Sequence, residues 1–371
     1  MYLKRLRLTY FRNYGREEIE FAAPKNILVG ANAQGKSNLL EAVQLLIALK
    51  SHRGGRDRDL VMNGMAAAEI WADCESRCST VELSIKLRSQ SRRSLLINGV
   101  NVARQADFLG YMSGVLFSSL DLDLVRGNPE QRRDWLDGVL VQLEPIYFGL
   151  VQQYNQVLRQ RNALLKTIRQ GQLEQIEQLV LWDQQLASHG THILRRRSRL
   201  IERLSPLAAK WHAQISGTGE KLEISYLSKL EFNSSQTREQ VQQVFLTKLA
   251  QVSTAETTQG SSLVGPHRDD LGLQINGRTA REYGSQGQQR TLVLALKLAE
   301  LELIEAVLGE PPLLLLDDVL AELDLQRQDH LLNAISSRVQ TIITTTHLGS
   351  FDPRWLSAAQ IFQVEQGKVS R

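Results

Sequence analysis

Cysteine is nearly absent from this chain of 371 residues: only Cys74 and Cys78 occur. Two thiols without histidines at metal-binding spacing make neither a zinc site nor a disulfide framework. What remains is a pair of reduced thiols in a cytosolic protein. Long apolar runs are also missing. No stretch approaches the ~18 residues of a membrane span, and the first eight residues, Met1 to Leu8, alternate instead of forming the apolar core of a signal peptide. The expectation is a cytoplasmic chain with no membrane partner. Internal repeats and low-complexity tracts are absent, as is the sustained heptad pattern that a long coiled-coil arm requires. The net charge is only +4, but it is unevenly placed. Residues 1–58 carry 11 Lys/Arg against 5 Asp/Glu and residues 126–215 carry 13 against 8, which leaves the remainder acidic. Two basic regions on a near-neutral body point to a polyanion surface, nucleic acid foremost.

The length suits roughly two domains with a substantial core, and the 42% hydrophobic and 23% charged contents are those of a globular protein. Three short runs far apart carry the chemistry. Gly30-Ala31-Asn32-Ala33-Gln34-Gly35-Lys36-Ser37 is a phosphate loop, G-x-x-x-x-G-K-S, between the short apolar strand Asn26–Val29 and a helix with Leu39, Val43, Leu46 and Ile47 at helical spacing. The glycines let backbone N–H groups turn inward to phosphate oxygens, Lys36 brings charge to the β/γ-phosphates, and the Ser37 hydroxyl suits Mg²⁺. The implied cofactors are ATP and Mg²⁺. Leu313–Leu316 is an apolar strand ending in Asp317 and Asp318. Asp317 is suited to hold Mg²⁺ through water, and Asp318 to polarise the attacking water. Many ABC-type ATPases carry Glu at the second position; the shorter Asp predicts slow hydrolysis. His347 follows the next strand, Thr341–Thr345, where a γ-phosphate sensor would sit.

The third run, Ser285-Gln286-Gly287-Gln288-Gln289, opens a long helix and looks like an ABC signature sequence. Ser285 would cap the first turn, and the helix N-terminus would present free N–H groups and partial positive charge to an anion. In such folds Ser285, Gly287 and Gln288 face the nucleotide of a neighbouring subunit, so two ATP molecules would be buried in a head-to-tail homodimer. Glu322-Leu323-Asp324 has the look of a loop that crosses between the subunits. The fold class expected is α/β: an ABC/SMC-type P-loop ATPase head with a mostly helical inserted second domain. The boundaries are 1–125 for the N-terminal part of the head, 126–260 for the insertion and 261–371 for the C-terminal part. Short breaks at Gly171 and Gly190 would separate the inserted helices, and the Ser/Thr/Gln-rich stretch near Ser253–Ser262 reads as a linker. Asn98-Gly99 and Asn276-Gly277 read as hairpin turns, and Gln366-Gly367 as the turn of a last hairpin.

With these residues in hand, the chain resembles the RecF family of bacterial recombination mediators over nearly its whole length. The resemblance is carried by Tyr10-Phe11-Arg12-Asn13-Tyr14, Lys50-Ser51-His52-Arg53, Val264-Gly265-Pro266-His267-Arg268-Asp269-Asp270-Leu271, Tyr283 to Arg290, and Asp317 to Asp324. It implies an SMC-related ABC head that pairs on DNA when ATP binds and a role in placing recombinase at gaps. The DNA would be duplex, single-stranded or a junction of the two. It further implies RecR and RecO-like mediators as partners, and a place at the nucleoid. By the same resemblance Arg12 and Asn13 lie near the nucleotide, and Arg53, Arg56 and Arg58 face DNA or the neighbouring phosphate. The sequence departs from the family at Phe117 to Leu122, where Ser119-Leu120 replaces the usual Pro-Glu, and at Ala321, where Ser is common. A transporter ATPase subunit and an SMC-type chromosome protein stay open as alternatives. The 249 residues between Lys36 and Ser285 are long for the first, and the short insertion without heptads disfavours the second.

Overall fold

The computed structural model describes residues 1–76, 79–171, 173–217, 219–323, 325–335, 339–349, 351 and 353–371; Cys78, and Asp324 of the acidic turn, lie outside them. Two six-stranded sheets form the head. The first is antiparallel, in the order Tyr14–Glu20, Tyr2–Phe11, Ala67–Glu75, Thr80–Arg88, Ser94–Ile97, Val100–Val102. The second is mainly parallel, in the order Lys368–Ser370, Ala359–Glu365, Lys25–Val29, Thr341–Thr345, Leu313–Asp317, Gly114–Ser118. Leu313–Leu316 and Ile342–Ile343 are fully buried, as continuous apolar strands covered on both faces must be.

The phosphate-loop helix, Lys36–Ala48, lies between the sheets. Leu39, Leu40, Ala42, Val43, Leu45, Leu46 and Ile47 are all buried, so it is apolar nearly all round rather than along one stripe. It shares one apolar cluster with Leu3, Leu6 and Leu8 of the antiparallel sheet and Leu313 and Leu315 of the parallel one. The Asn-Gly pairs make the tight turns expected of them: Asn98 and Asn276 have φ of 49° and 51°, followed by Gly99 and Gly277 at 76° and 73°. Positive φ at both central residues is the turn that matches strand twist.

The inserted helices run Pro129–Leu143, Ile146–Arg169, Leu179–Ser216 and Arg238–Gln259. Two expectations need correction. Gly190 does not break a helix; it lies inside Leu179–Ser216. A Cβ there would sit 2.5 Å from the Phe245 ring and 3.1 Å from that of Tyr154, so the glycine is a packing notch, whose ~1 kcal/mol helix penalty is offset by close helix approach. Nor is 253–262 a linker: the helix Arg238–Gln259 runs through most of it. Its Glu256 is fully buried and accepts from Arg161 Nη2 at 2.6 Å and from the Leu263 amide at 2.7 Å. A polar composition hid a tertiary anchor. The strand Leu222–Leu227 pairs with Asp270–Ile275 in a three-stranded sheet, which joins segments on either side of the expected 260/261 boundary. Among the described residues, no helix is long and apolar enough to cross a membrane.

Candidate nucleotide site and signature helix

The parallel strands bring the distant motifs to one edge of the sheet. Lys25–Val29 runs into Gly30, whose missing Cβ matters because it would lie 2.2 Å from the Val364 carbonyl oxygen. The loop turns through Ala33 (φ 63°) and Gly35 (φ 120°) into the helix. Ala31, Asn32 and Ala33 face solvent and Gln34 is half-buried. Lys36 Nζ donates to the carbonyls of Gly30 at 2.7 Å and Ala31 at 2.8 Å, across the mouth of its own loop. Burial lowers its pKa, against the raising effect of Asp318 and Asp317.

Ser37 and Asp317 lie 280 residues apart and meet: Ser37 Oγ donates to Asp317 Oδ1 at 2.6 Å. Thr344 Oγ1 donates to the same oxygen at 2.8 Å and accepts from the Asp318 amide at 2.9 Å. The Leu313–Asp317 strand is separated from the phosphate-loop strand by Thr341–Thr345, so Thr344 braces the carboxylate between them. Hydroxyl and carboxylate oxygens are the donors that Mg²⁺ takes, so Ser37 and Asp317 fit the ion. Asp318 has left-handed backbone, φ 56°. Its Oδ1 is buried without a hydrogen-bond partner. Burial raises its pKa, with Asp317 adding to the rise and Lys36 opposing it. An unpartnered buried carboxylate oxygen beside the phosphate loop is placed to take a hydrogen bond from water. His347 follows the middle strand; its amide donates to Thr345 Oγ1 at 3.3 Å, and Nδ1 lies 3.0 Å from Thr346 Oγ1.

Arg12 and Asn13 are placed differently from one another. Arg12 makes a fork onto Glu41, with both bonds at 2.8 Å, behind the phosphate-loop helix. Glu41 is fully buried. Burial alone would raise its pKa, but Arg12 and Ser51 outweigh that and hold it low. Asn13 touches the loop itself, donating to the Gln34 carbonyl at 2.9 Å and accepting from Asn38 at 2.8 Å. Arg53 in turn donates to Asn38 at 2.8 Å, which ties the basic loop to the helix.

The last hairpin is a contributor that motif reading missed. The Gly367 amide donates to the Gln34 carbonyl at 3.0 Å and the Gln366 amide to Gln34 Oε1 at 2.7 Å. Gly367 has φ 75°, and a Cβ there would lie 2.3 Å from the Asn13 carbonyl oxygen. The turn signal was legible; its docking on the phosphate loop was not.

Ser285 caps the helix Gln286–Leu308 through a capping box. Its hydroxyl accepts from the Gln288 amide at 3.2 Å, and Gln288 Oε1 accepts from the Ser285 amide at 2.8 Å. Gln288 also donates to Glu220 at 2.8 Å. The described hydrogen bonds of Ser285, Gly287 and Gln288 reach Glu220, Thr291, Arg327 and their own turn, none of them residues 30–37. Among the described residues, no hydrogen bond therefore links the signature turn to its own phosphate loop.

The segment Val264 to Leu271 does not join the nucleotide site; it ties the inserted helices to the small sheet. His267 Nδ1 lies 2.6 Å from the Tyr154 hydroxyl, and Nε2 lies 3.3 Å from the Ser262 carbonyl. The second contact requires a donor at Nε2, so Nδ1 accepts from Tyr154. Burial pushes His267 down to about 4. Arg132 forks onto Asp270, Arg197 onto Asp137, and Arg161 holds Asp183 and Glu256. These three arginines are buried, so the charge count over 126–215 overstates what a polyanion would meet.

Residues 2–370 match the RecF/RecN/SMC N terminal domain family, and a protein of Cyanothece sp. called DNA replication and repair protein RecF is 60% identical over 370 residues, covering all of this chain and 98% of the relative. The chain belongs to the RecF family. A solved structure described as the recombination mediator protein RecF-ATP in the RecFOR pathway is 33% identical, with a TM-score of 0.91 over 100% of this chain and 97% of that one. An Smc head bound to the C-winged helix domain of ScpA shares the fold alone, at a TM-score of 0.56 and 17% identity over 100% and 96% of the two chains. The architecture is thus the ABC-type head common to RecF and SMC proteins.

Proposed function

We propose that this RecF-family chain is an ATP-gated DNA-binding switch of recombinational repair and replication. The observation that carries the reading is the contact between Ser37 and Asp317, with Lys36 and the unpartnered Asp318 oxygen beside it. Gly30 to Ser37 wraps the phosphates, with Lys36 Nζ leaving its loop carbonyls for the β/γ oxygens. Ser37 and Asp317 would hold Mg²⁺, which when bound would supply positive charge against the phosphate oxygens. Asp318 orients the attacking water and His347 faces the γ-phosphate. Asn13 supports the loop crest, while Arg12 acts through Glu41 on the helix behind it.

The signature turn of one subunit, Ser285 to Gln288, completes the ATP site of another, so ATP joins two chains head to tail. The pair presents Arg53, Arg56 and Arg58, all exposed, to DNA phosphates, mostly without base readout. Slow hydrolysis, weak because Asp318 is short, removes the γ-phosphate and parts the subunits. RecR and RecO-like mediators would act with the DNA-bound pair in placing recombinase at gaps. The similar structure belongs to a RecF protein of the RecFOR pathway, which supports those partners.

The deciding experiment measures mass in solution for Asp318→Asn with ATP and Mg²⁺, with and without a gapped duplex. Doubling that requires ATP and strengthens with DNA is expected. A monomer under every condition would overturn the shared-site reading.

A further inference from the structure

Arg327 lies on the helix Leu325–Ala334, which follows the turn after Asp318. Its guanidinium reaches back to the signature turn: Nε donates to Thr291 Oγ1 at 2.8 Å, and Nη2 approaches the Gly287 carbonyl at 3.3 Å. Thr291 Oγ1 itself donates to that carbonyl at 3.0 Å. One guanidinium, one hydroxyl and one carbonyl therefore close a small ring on the first turn of the helix. Thr291 is 1% exposed, so the ring is shielded from water on that side. Gly287 leaves room for it: a Cβ there would stand 3.3 Å from Nη2 and press on the guanidinium. Arg presents its N–H donors in a rigid planar fork, a fixed geometry that the rotating ammonium of Lys does not hold.

In the proposed pair the two ends of this link serve different nucleotides. Asp317 and Asp318 belong to the ATP held by their own subunit, and Gly287 faces the ATP of the partner subunit. We propose that Arg327 is a positioning residue that couples the two ATP sites. It makes the signature turn move with the Asp318 turn, so a change at one nucleotide is felt at the other. The inference rests on the shared-site reading above.

The test uses the full-length Asp318→Asn protein as background, with Arg327→Gln or Arg327→Lys added. A further variant, Thr291→Val, removes the hydroxyl pivot without changing charge. Thermal unfolding establishes that each variant is folded. ATP binding is titrated at protein concentrations too low for pairing, and the dissociation constant of the ATP-bound pair is measured by sedimentation. The expected result is ATP affinity within twofold of the background for every variant, with pairing weakened at least tenfold by Arg327→Gln, Arg327→Lys and Thr291→Val alike. A purely structural role would instead lower both affinities together with the unfolding midpoint, and that outcome overturns the proposal. Pairing as tight as the background also overturns it, while leaving the shared-site reading intact. Failure of Asp318→Asn itself to pair removes the shared-site reading and this inference with it.

Discussion

At the scale of single residues, two titratable groups have opposite consequences. Asp318 is held with one oxygen unpartnered, and burial raises its pKa. A raised carboxyl favours the folded state while protonated and loses that contribution as pH rises through the folded value. Asp318→Asn, which never ionises, should therefore unfold at higher temperature than wild type at pH 7. The gap should close as pH falls into the ordinary carboxylate range; calorimetry across pH checks this, and equal midpoints at pH 7 would count against it. The site's stability is then set against its chemistry, since the same variant should bind ATP and stall in hydrolysis. His267 works the other way. Its pKa falls from 6.5 to about 4, so the folded state keeps it neutral. Unfolding between those values takes up a proton, and stability should decline as pH drops from about 6.5 to about 4, by roughly 3 kcal/mol at most. Urea midpoints should show that slope in the wild type and lose much of it in His267→Gln.

At the scale of elements, the last hairpin behaves as a brace for the phosphate loop. Its turn supplies two amides to Gln34 and crowds Asn13. Gly367→Ala would strain a left-handed residue and press on the Asn13 carbonyl, so ATP affinity should fall about tenfold, or roughly 1.4 kcal/mol. Gly99→Ala is the control: φ is 76°, but nothing lies within 4 Å of the added carbon, and ATP affinity should not change. Equal losses in both would mean that general destabilisation, not the brace, is responsible. In the inserted helices, Arg161 and Glu256 are both fully buried and joined at 2.6 Å. Removing one member of a buried ion pair leaves an uncompensated charge, so Arg161→Ala should cost about 3–5 kcal/mol, read as a lower denaturant midpoint.

At the scale of the whole molecule, free positive charge is smaller than composition implies. Arg5 pairs with Asp73 and Arg7 with Glu18 on the outer face of the antiparallel sheet, while Arg132, Arg161 and Arg197 are buried in ion pairs. Arg53, Arg56 and Arg58 are exposed and close in sequence, although Arg58 lies 3.5 Å from Asp59. If six such arginines in a pair each neutralise one phosphate, DNA affinity should fall about a thousandfold between 50 and 200 mM salt. A flat salt response would overturn that surface. Ser285→Arg should bind ATP and fail to pair, because it puts a bulky cation at the turn facing the partner; normal ATP-dependent pairing would refute the shared site.

The sequence by itself determined the features whose physical requirements are local. A phosphate loop needs glycines at fixed offsets, a buried parallel strand needs a continuous apolar run, a capped helix needs a residue such as Ser285 at its start, and a tight hairpin needs Asn-Gly. Each is written within a few residues, and so the loop, the two carboxylates, the signature helix and the hairpins were all legible. Only the tertiary structure decided what meets across long stretches of chain. It put Gln366 and Gly367 on Gln34, Arg12 on Glu41 and Arg327 on Gly287, carried a helix straight through Gly190, and buried arginines that composition counts as basic surface. Such contacts depend on three-dimensional register between elements, and a guanidinium's partner far along the chain leaves no mark on the residues beside it.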